Sequence, residues 1–300
     1  MRVFWSGGAT GERPTDRSAA AAPSGRSPQN LEEMMTRRKK VPGKCRICGK
    51  EGELSFEHVP PQSAFNEETV IEYTLESWTT KRKAKGKQRQ GGIGEYTLCE
   101  QCNNDTGSWY GDEYVKWAKT ASDILLLIER HSDYFSGKTE VVVTLRNTYP
   151  LRFLKQVVTC LFSVAGISPG AEFSHNNPEL VKFVLERHET RLPPDYQFYL
   201  RLYQSPILRR YPIAGKLTVT YNKDDGGNIL PHTLKVSSAS ILSEMTHPPF
   251  AITMTYDTGF LDATNITHFK NYKYDEQLDL VLPLMIGRSS TPYPGSYQPL

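Results

Sequence analysis

The sequence predicts an α+β protein in two parts: a small cysteine-bearing N-terminal part, and a larger α+β part built on a mostly antiparallel sheet. Three observations lead there. Four of the five cysteines fall into two Cys-x-x-Cys pairs, Cys45/Cys48 and Cys99/Cys102, within a stretch dense in glycine and charge. Two stretches, 112–129 and 151–165, carry helical apolar spacing. From residue 196 onward, β-branched and aromatic runs alternate with Pro, Gly and Asn turn signals.

Taken in order, residues 1–40 are rich in Gly, Ala, Ser, Pro and Arg with almost nothing to anchor a core. They read as a disordered or spurious N-terminal extension, with Met34 or Met35 as the alternative start. Residues 41–135 read as the first domain. Its short strands are 54–57 and 95–98, and its helix is 112–129, where Val115, Ala118, Ile124, Leu125 and Ile128 recur near helical spacing and Asp105 or Ser108 caps the start. Residues 136–288 read as the second domain, opening with a β-branched strand at 140–145 and helices at 151–165 and 178–188. Its later strands are 196–203, 216–221, 233–236, 250–256 and 278–284, and 289–300 reads as a flexible Pro-rich tail.

Composition excludes several classes. Of 300 residues, 38% are hydrophobic and 23% charged, and no apolar run approaches the ~20 residues that a spanning helix needs, so no membrane partner is expected. The N-terminus lacks the basic-then-apolar pattern of a secretory signal, which makes the cytoplasm the expected location. A net charge of +3 is too small to imply nucleic acid from the total alone.

The informative residues are Cys45-Arg-Ile-Cys48, then Leu54-Ser-Phe-Glu57-His58-Val-Pro60-Pro61, then Leu98-Cys99-Glu-Gln-Cys102-Asn103-Asn104-Asp105-Thr-Gly107. One Cys-x-x-Cys alone could be a redox motif. Two pairs flanking a Glu-His dipeptide point instead to a closed four-sulfur zinc site, which organises a fold and leaves no open coordination position for reaction.

These residues resemble the zinc-containing branch of the HNH endonucleases, in which an acidic-His dipeptide followed by Pro sits between two Cys-x-x-Cys pairs. The resemblance covers about residues 45–119. It implies a treble-clef-like ββα-metal domain in which His58 is the general base that deprotonates water for attack on a phosphodiester. Glu57 and Asn103 would hold a catalytic divalent cation such as Mg2+ or Mn2+. The chemistry is sound on its own terms, because an imidazole with a pKa near ~6.5 can take a proton at neutral pH. A hard cation offsets charge on the phosphate and the leaving oxygen. Glu57 and His58 can face different partners only if the strand twists out at its end, an exit that Pro60 and Pro61 would enforce. The sequence departs from the family at the middle Asn, where Gly94 and Glu95 stand. Three alternatives follow: Asn66 takes the orienting role, a backbone carbonyl does, or the site is impaired.

Between the predicted strands, Lys81, Arg82, Lys83, Lys85, Lys87 and Arg89 put six basic side chains in nine positions. Beside such a site they would neutralise backbone phosphates, with double-stranded DNA the substrate the resemblance implies. A competing reading from another class is a non-catalytic zinc module that binds nucleic acid or protein. The second domain carries no identifiable chemistry; a target-recognition, sensing or homodimer role is expected of it, as in a bacterial or phage defence or mobile-element effector. Cys160 reads as a buried inert thiol, Trp109 and Tyr110 as core caps, and His131, His175, His188 and His247 as ordinary histidines.

Overall fold

The computed structural model describes residues 41–72, 87–135, 140–164, 173–203, 208–220, 235–255, 263–287 and 296–299, all within one compact unit that starts at Lys40. The N-terminal extension 1–40 and residues 81–86 of the basic run lie outside the described residues.

In chain order, β1 (Val41–Lys44) and β2 (Glu51–His58) precede two short strands, β3 (Val70–Glu72) and β4 (Lys87–Arg89), and then β5 (Gly94–Cys99). α1 (Glu100–Thr106) passes through a π-helical turn at Gly107–Gly111 into α2 (Asp112–Arg130), followed by α3 (Ser132–Phe135). Next come β6 (Glu140–Thr148), α4 (Pro150–Val164), α5 (Phe173–Asn176) and α6 (Pro178–Leu185). The chain ends in β7 (Gln197–Tyr203), β8 (Leu208–Thr220), β9 (Lys235–His247), β10 (Phe250–Thr255), β11 (Thr264–Asn265), a 3-10 turn, β12 (Leu278–Gly287) and β13 (Ser296–Pro299).

The fold is α+β, as the sequence predicts. One antiparallel sheet has the order β1-β2-β5, and the larger has the order β4-β3-β13-β8-β9-β10-β7-β12-β6 with β11 beside β7. All neighbours in the larger sheet are antiparallel except β12 against β7.

Three expectations are corrected. Neither Asp105 nor Ser108 caps the long helix, because α1 already starts at Glu100 with Cys99 as its N-cap, and Ser108 Oγ merely donates to Asp105 O (3.0 Å). Gly107 and Gly111, which look like breakers, keep ordinary helical dihedrals, so the helix widens by a π turn instead of stopping. The helix expected over 178–188 ends at Leu185, where Glu186 turns extended. Residues 296–299 of the expected tail form β13, paired with β3 and β8.

α4 is the pillar of the molecule. It packs against α2, the π turn, α6, β5, β8, β9 and the 3-10 turn, and nearly every residue along it is buried. A helix enclosed on all sides must satisfy its polar groups internally. Thr159 Oγ1 donates to Lys155 O (2.9 Å) and Ser163 Oγ to Thr159 O (3.3 Å). Lys155 Nζ donates to Glu186 O (2.9 Å) and Phe183 O at the end of α6, and burial draws its amine down to about 7. Around α4, Trp117 stacks on Phe153 at 4.0 Å, and Tyr114 and Phe250 close on the same ring. Cys45, Ile47 and Leu98 belong to one continuous core with Phe162, Leu202 and Leu284, so residues on both sides of position 135 share it.

Candidate functional site

The Cys45/Cys48 pair lies in the turn that leaves β1. Gly49, at φ +71°, supplies the left-handed residue that reverses the chain, and its N–H donates to Cys45 O (2.9 Å). Arg46 N donates to Thr97 O (2.9 Å), tying this turn to β5, whose last residue is Cys99. Cys102 follows in the first turn of α1. The four sulfurs lie within 4.8 Å of one another, with Cys48 and Cys99 at 3.9 Å. Tetrahedral coordination with Zn–S of ~2.3 Å sets the sulfurs about 3.8 Å apart, so this cluster can hold a metal ion such as zinc. The thiols share protons unevenly. A hydrogen bond from Cys102, helped by N–H groups of Cys99, Cys48 and Ile47, pulls the Cys45 thiol down to about 4, whereas the same bond and burial push Cys102 far above the usual thiol range. A dication placed among four thiolates takes over the role of those protons.

Glu57 and His58 sit at the end of β2, and a β-bulge determines where they point. Ser55 pairs with Leu98 but Phe56 with Tyr96, so Thr97 is an extra residue in β5. The parity of β2 changes there: Leu54 and Glu57 are both buried, three positions apart, and Phe56 is exposed. This is the twist that lets adjacent acid and imidazole address different surroundings.

His58 Nε2 lies 2.9 Å from Gly91 O. A carbonyl only accepts, so Nε2 is the nitrogen that donates, and Nδ1 is left as the other ring nitrogen. Gly91 and Gly92 both have positive φ (+74° and +86°), and a Cβ on Gly92 would meet Asn66 O at 2.0 Å. Glycine is required there, and the carbonyl reaches His58 because of it. Asn66 does not touch His58 in any described contact. It is buried, its Nδ2 donates to Pro60 O and Ile93 O (2.7 Å each), and its Oδ1 accepts from Ile93 N (2.6 Å). Asn66 therefore clamps the loop that leaves β2 to the glycine segment entering β5. Replacing Asn66 with alanine strands Pro60 O and Ile93 N–H in a dry environment, while Ile93 O keeps its bond from Val59 N (3.0 Å); a loss of about 2–4 kcal/mol in urea unfolding is expected, and a loss below ~0.5 kcal/mol would contradict the clamp.

Asn103, on the second turn of α1, donates through Nδ2 to Ser55 Oγ (3.1 Å) and Phe56 O (3.4 Å), which leaves Oδ1 as its acceptor. Glu57, His58 and Asn103 thereby line one cavity of about 300 Å³, closed by Asp112 of α2 and by Gln156, Thr159 and Cys160 of α4. Gln156 is 6% exposed, its Nε2 reaches Cys160 Sγ (3.6 Å), and its Oε1 has no hydrogen-bond partner among the described residues. A buried acceptor left open in a polar cavity favours a ligand that donates a hydrogen bond.

Of the residues singled out from sequence, the four cysteines come together, and Glu57, His58 and Asn103 come together beside them. Lys81, Arg82, Lys83 and Lys85 lie outside the described residues. Lys87 and Arg89 are exposed on β4, and Arg89 precedes Gly91 by two residues. Cys160 is buried as expected and also lines the cavity. Tyr110 is fully buried, donating to Val184 O (2.8 Å), while Trp109 is half-buried against the core with Arg187 over its ring at 4.5 Å. Sequence reading missed Gly91 and Gly92, Asp112 and Gln156. The signals were a Gly-Gly-Ile-Gly string just ahead of a strand, and Gln156 with Thr159 about one helical turn apart in a helix rich in apolar residues. No helix among the described residues is long and apolar enough to cross a membrane. No family model, no curated protein and no solved structure matches the chain.

Proposed function

We propose that this chain is a metal-dependent phosphodiester hydrolase of the HNH type that acts on DNA, with the four cysteines holding a structural zinc. One observation carries the reading. Three polar residues from two distant places in the chain, the adjacent Glu57 and His58 and the later Asn103, share one cavity next to a four-thiol cluster, and the imidazole is tethered through one nitrogen.

His58 Nε2 donates to Gly91 O, so Nδ1 is the nitrogen that takes a proton from the attacking water. The backbone carbonyl does the orienting work that the sequence left open, and Asn66 holds the segment bearing that carbonyl. Glu57 and the Oδ1 of Asn103 would hold the cation, as hard oxygen donors that fit Mg2+ or Mn2+ better than zinc. A divalent cation bound there would supply Lewis-acid stabilisation of the charge that develops on the phosphate and the leaving oxygen. Lys87, Arg89 and the basic residues 81–85 would hold phosphates on either side of the scissile bond without reading bases.

The test is nicking and linearisation of plasmid by the purified chain with Mg2+, Mn2+ or Ni2+, against EDTA at a dose that leaves the thiolate-held zinc in place. Cation-dependent cutting is expected. Retention on DNA that falls steeply with salt, with no cutting under any cation, would replace this reading by the non-catalytic zinc module.

A further inference from the structure

We propose that the chain forms a two-fold homodimer in which β6 of one copy pairs antiparallel with β6 of a second copy. Among the described residues β6 is the last strand of the large sheet and pairs only with β12. Edge strands are normally blunted by shortness, charge, bulges or proline. The opposite edge obeys this rule, since β4 is three residues long, exposed, and reads Lys87-Gln88-Arg89. β6 does not. It runs for nine residues, Glu-Val-Val-Val-Thr-Leu-Arg-Asn-Thr, without lysine or proline, and Val142 is 69% exposed.

The hydrogen-bonding side of β6 follows from its partner. Val142 lies opposite Pro283, which has no N–H, and Pro283 O accepts from Thr264 Oγ1 on the far side of β12. Val142 and Pro283 are thus a non-hydrogen-bonded pair, and the N–H and C=O of Val142 point away from β12 to the free edge. By the strand alternation, so do those of Glu140 and Thr144. These same residues form the exposed face of β6, while Val143 and Leu145 are buried.

The strand is self-complementary about Val143. In an antiparallel pairing centred there, Glu140 of each copy lies opposite Arg146 of the other, and Val142 opposite Thr144. The Val142–Thr144 pairs join residues whose backbone groups point outward, so each exchanges two hydrogen bonds, and the Glu140–Arg146 pairs set opposite charges against each other at the two ends. Each also keeps exposed face against exposed face, so the joined sheet is continuous. Centring the pairing on Val142 or Thr144 would set Glu140 against a threonine, Thr144 or Thr148. Neither Glu140 nor Arg146 has an ionic partner among the described residues of its own chain. A groove of about 540 Å³ runs along this edge between residues 141–144 and the Ile124, Leu127 and Ile128 side of α2, with Leu127 and Tyr134 exposed at 50% and 69%. A two-fold axis perpendicular to the sheet places both α2 helices on the same face, covering this apolar surface with its own copy.

The test is sedimentation velocity of the full chain from ~1 to ~100 µM, a range that resolves micromolar association. A dimer is expected for the native sequence. Glu140→Arg and Arg146→Glu each create two like-charge pairs and weaken it by ~10-fold or more, and the double exchange Glu140→Arg/Arg146→Glu restores it. Val142→Pro, which removes an N–H that the monomer's ladder does not use, gives a monomer with unchanged circular dichroism and zinc content. A chain that stays monomeric throughout overturns the proposal, including the case where this edge takes an unrelated strand. So does a dimer indifferent to the charge exchanges, or one that the double exchange fails to restore.

Discussion

Exchange of His58 for alanine is expected to lower cation-dependent DNA cleavage by ~10²–10⁴-fold, the usual contribution of a positioned general base, while the chain keeps its zinc and its fold. The fold should tolerate the change because His58 is half-buried at a strand end, with one hydrogen bond to Gly91 O and an edge-on contact to Phe56 at 5.1 Å. Losing one such bond costs about 1 kcal/mol, small beside the expected loss of rate. His58→Gln refines the test. Its amide can still donate to Gly91 O but offers no nitrogen lone pair, so geometry is kept and basicity is lost. Cleavage by His58→Gln should match that of His58→Ala. Cutting by either variant within a few fold of the native chain would place the base elsewhere in the cavity, and Asp112 would be the next residue to replace.

The second large effect is on stability. One tightly held zinc per chain is expected by elemental analysis, and Cys102→Ser or Cys45→Ser should abolish it. Structural zinc contributes ~10–16 kcal/mol of apparent binding free energy in isolated zinc-finger peptides, most of it coupled to folding. Here Cys45 and Cys102 are 1% and 4% exposed and belong to the same core as the large sheet. Loss of the ion therefore should not stop at the three-stranded sheet. Amide exchange should accelerate first in β2, β5 and α1, and the global unfolding midpoint should fall by ~10 °C or more, as a loss of several kcal/mol implies for a chain of this size. Unchanged melting in Cys102→Ser, with no metal in the native chain, would mean that the four sulfurs pack as thiols.

Much of the candidate site was legible because its residue types have narrow chemistry. Two Cys-x-x-Cys pairs specify a shared ligand, and Glu57-His58 followed by two prolines marks a polar pair at a strand end. Asn103 was legible through its place after Cys102. What stayed hidden was produced by packing. Gln156 comes to the cavity because α4 passes behind β2, a relation between residues about a hundred positions apart that no local pattern encodes. Gly91 was hidden for a different reason. Its role is played by a backbone carbonyl, which has no letter in the sequence. The helices α2, α4 and α6 and the strands β6, β7, β10 and β12 were found from their patterns, whereas β3, β4, α1, α3 and α5 are too short to build one. The continuous helix through Gly107 and Gly111 was missed because a π turn uses residues that ordinarily end helices.

α4 has one more implication, and it concerns the order in which the molecule is assembled. The thiol cluster closes a loop of fewer than sixty residues, and every contact that orients His58 lies within residues 55–103. The back wall of the cavity is different: α4 is held by α6, by the 3-10 turn and by strands drawn from the far end of the chain, with Arg152 bonded to Tyr274 O (2.9 Å) across 122 positions. Contacts so distant in sequence form late, after the entropy of closing long loops has been overcome. On the ribosome or after dilution from denaturant, the chain would thus take up its metal well before it can cut. Refolding followed by zinc binding and by cleavage should resolve the two as separate phases. If the chain acts as proposed, no half-folded form of it is reactive, because the group that would act arrives long before the chamber in which it acts.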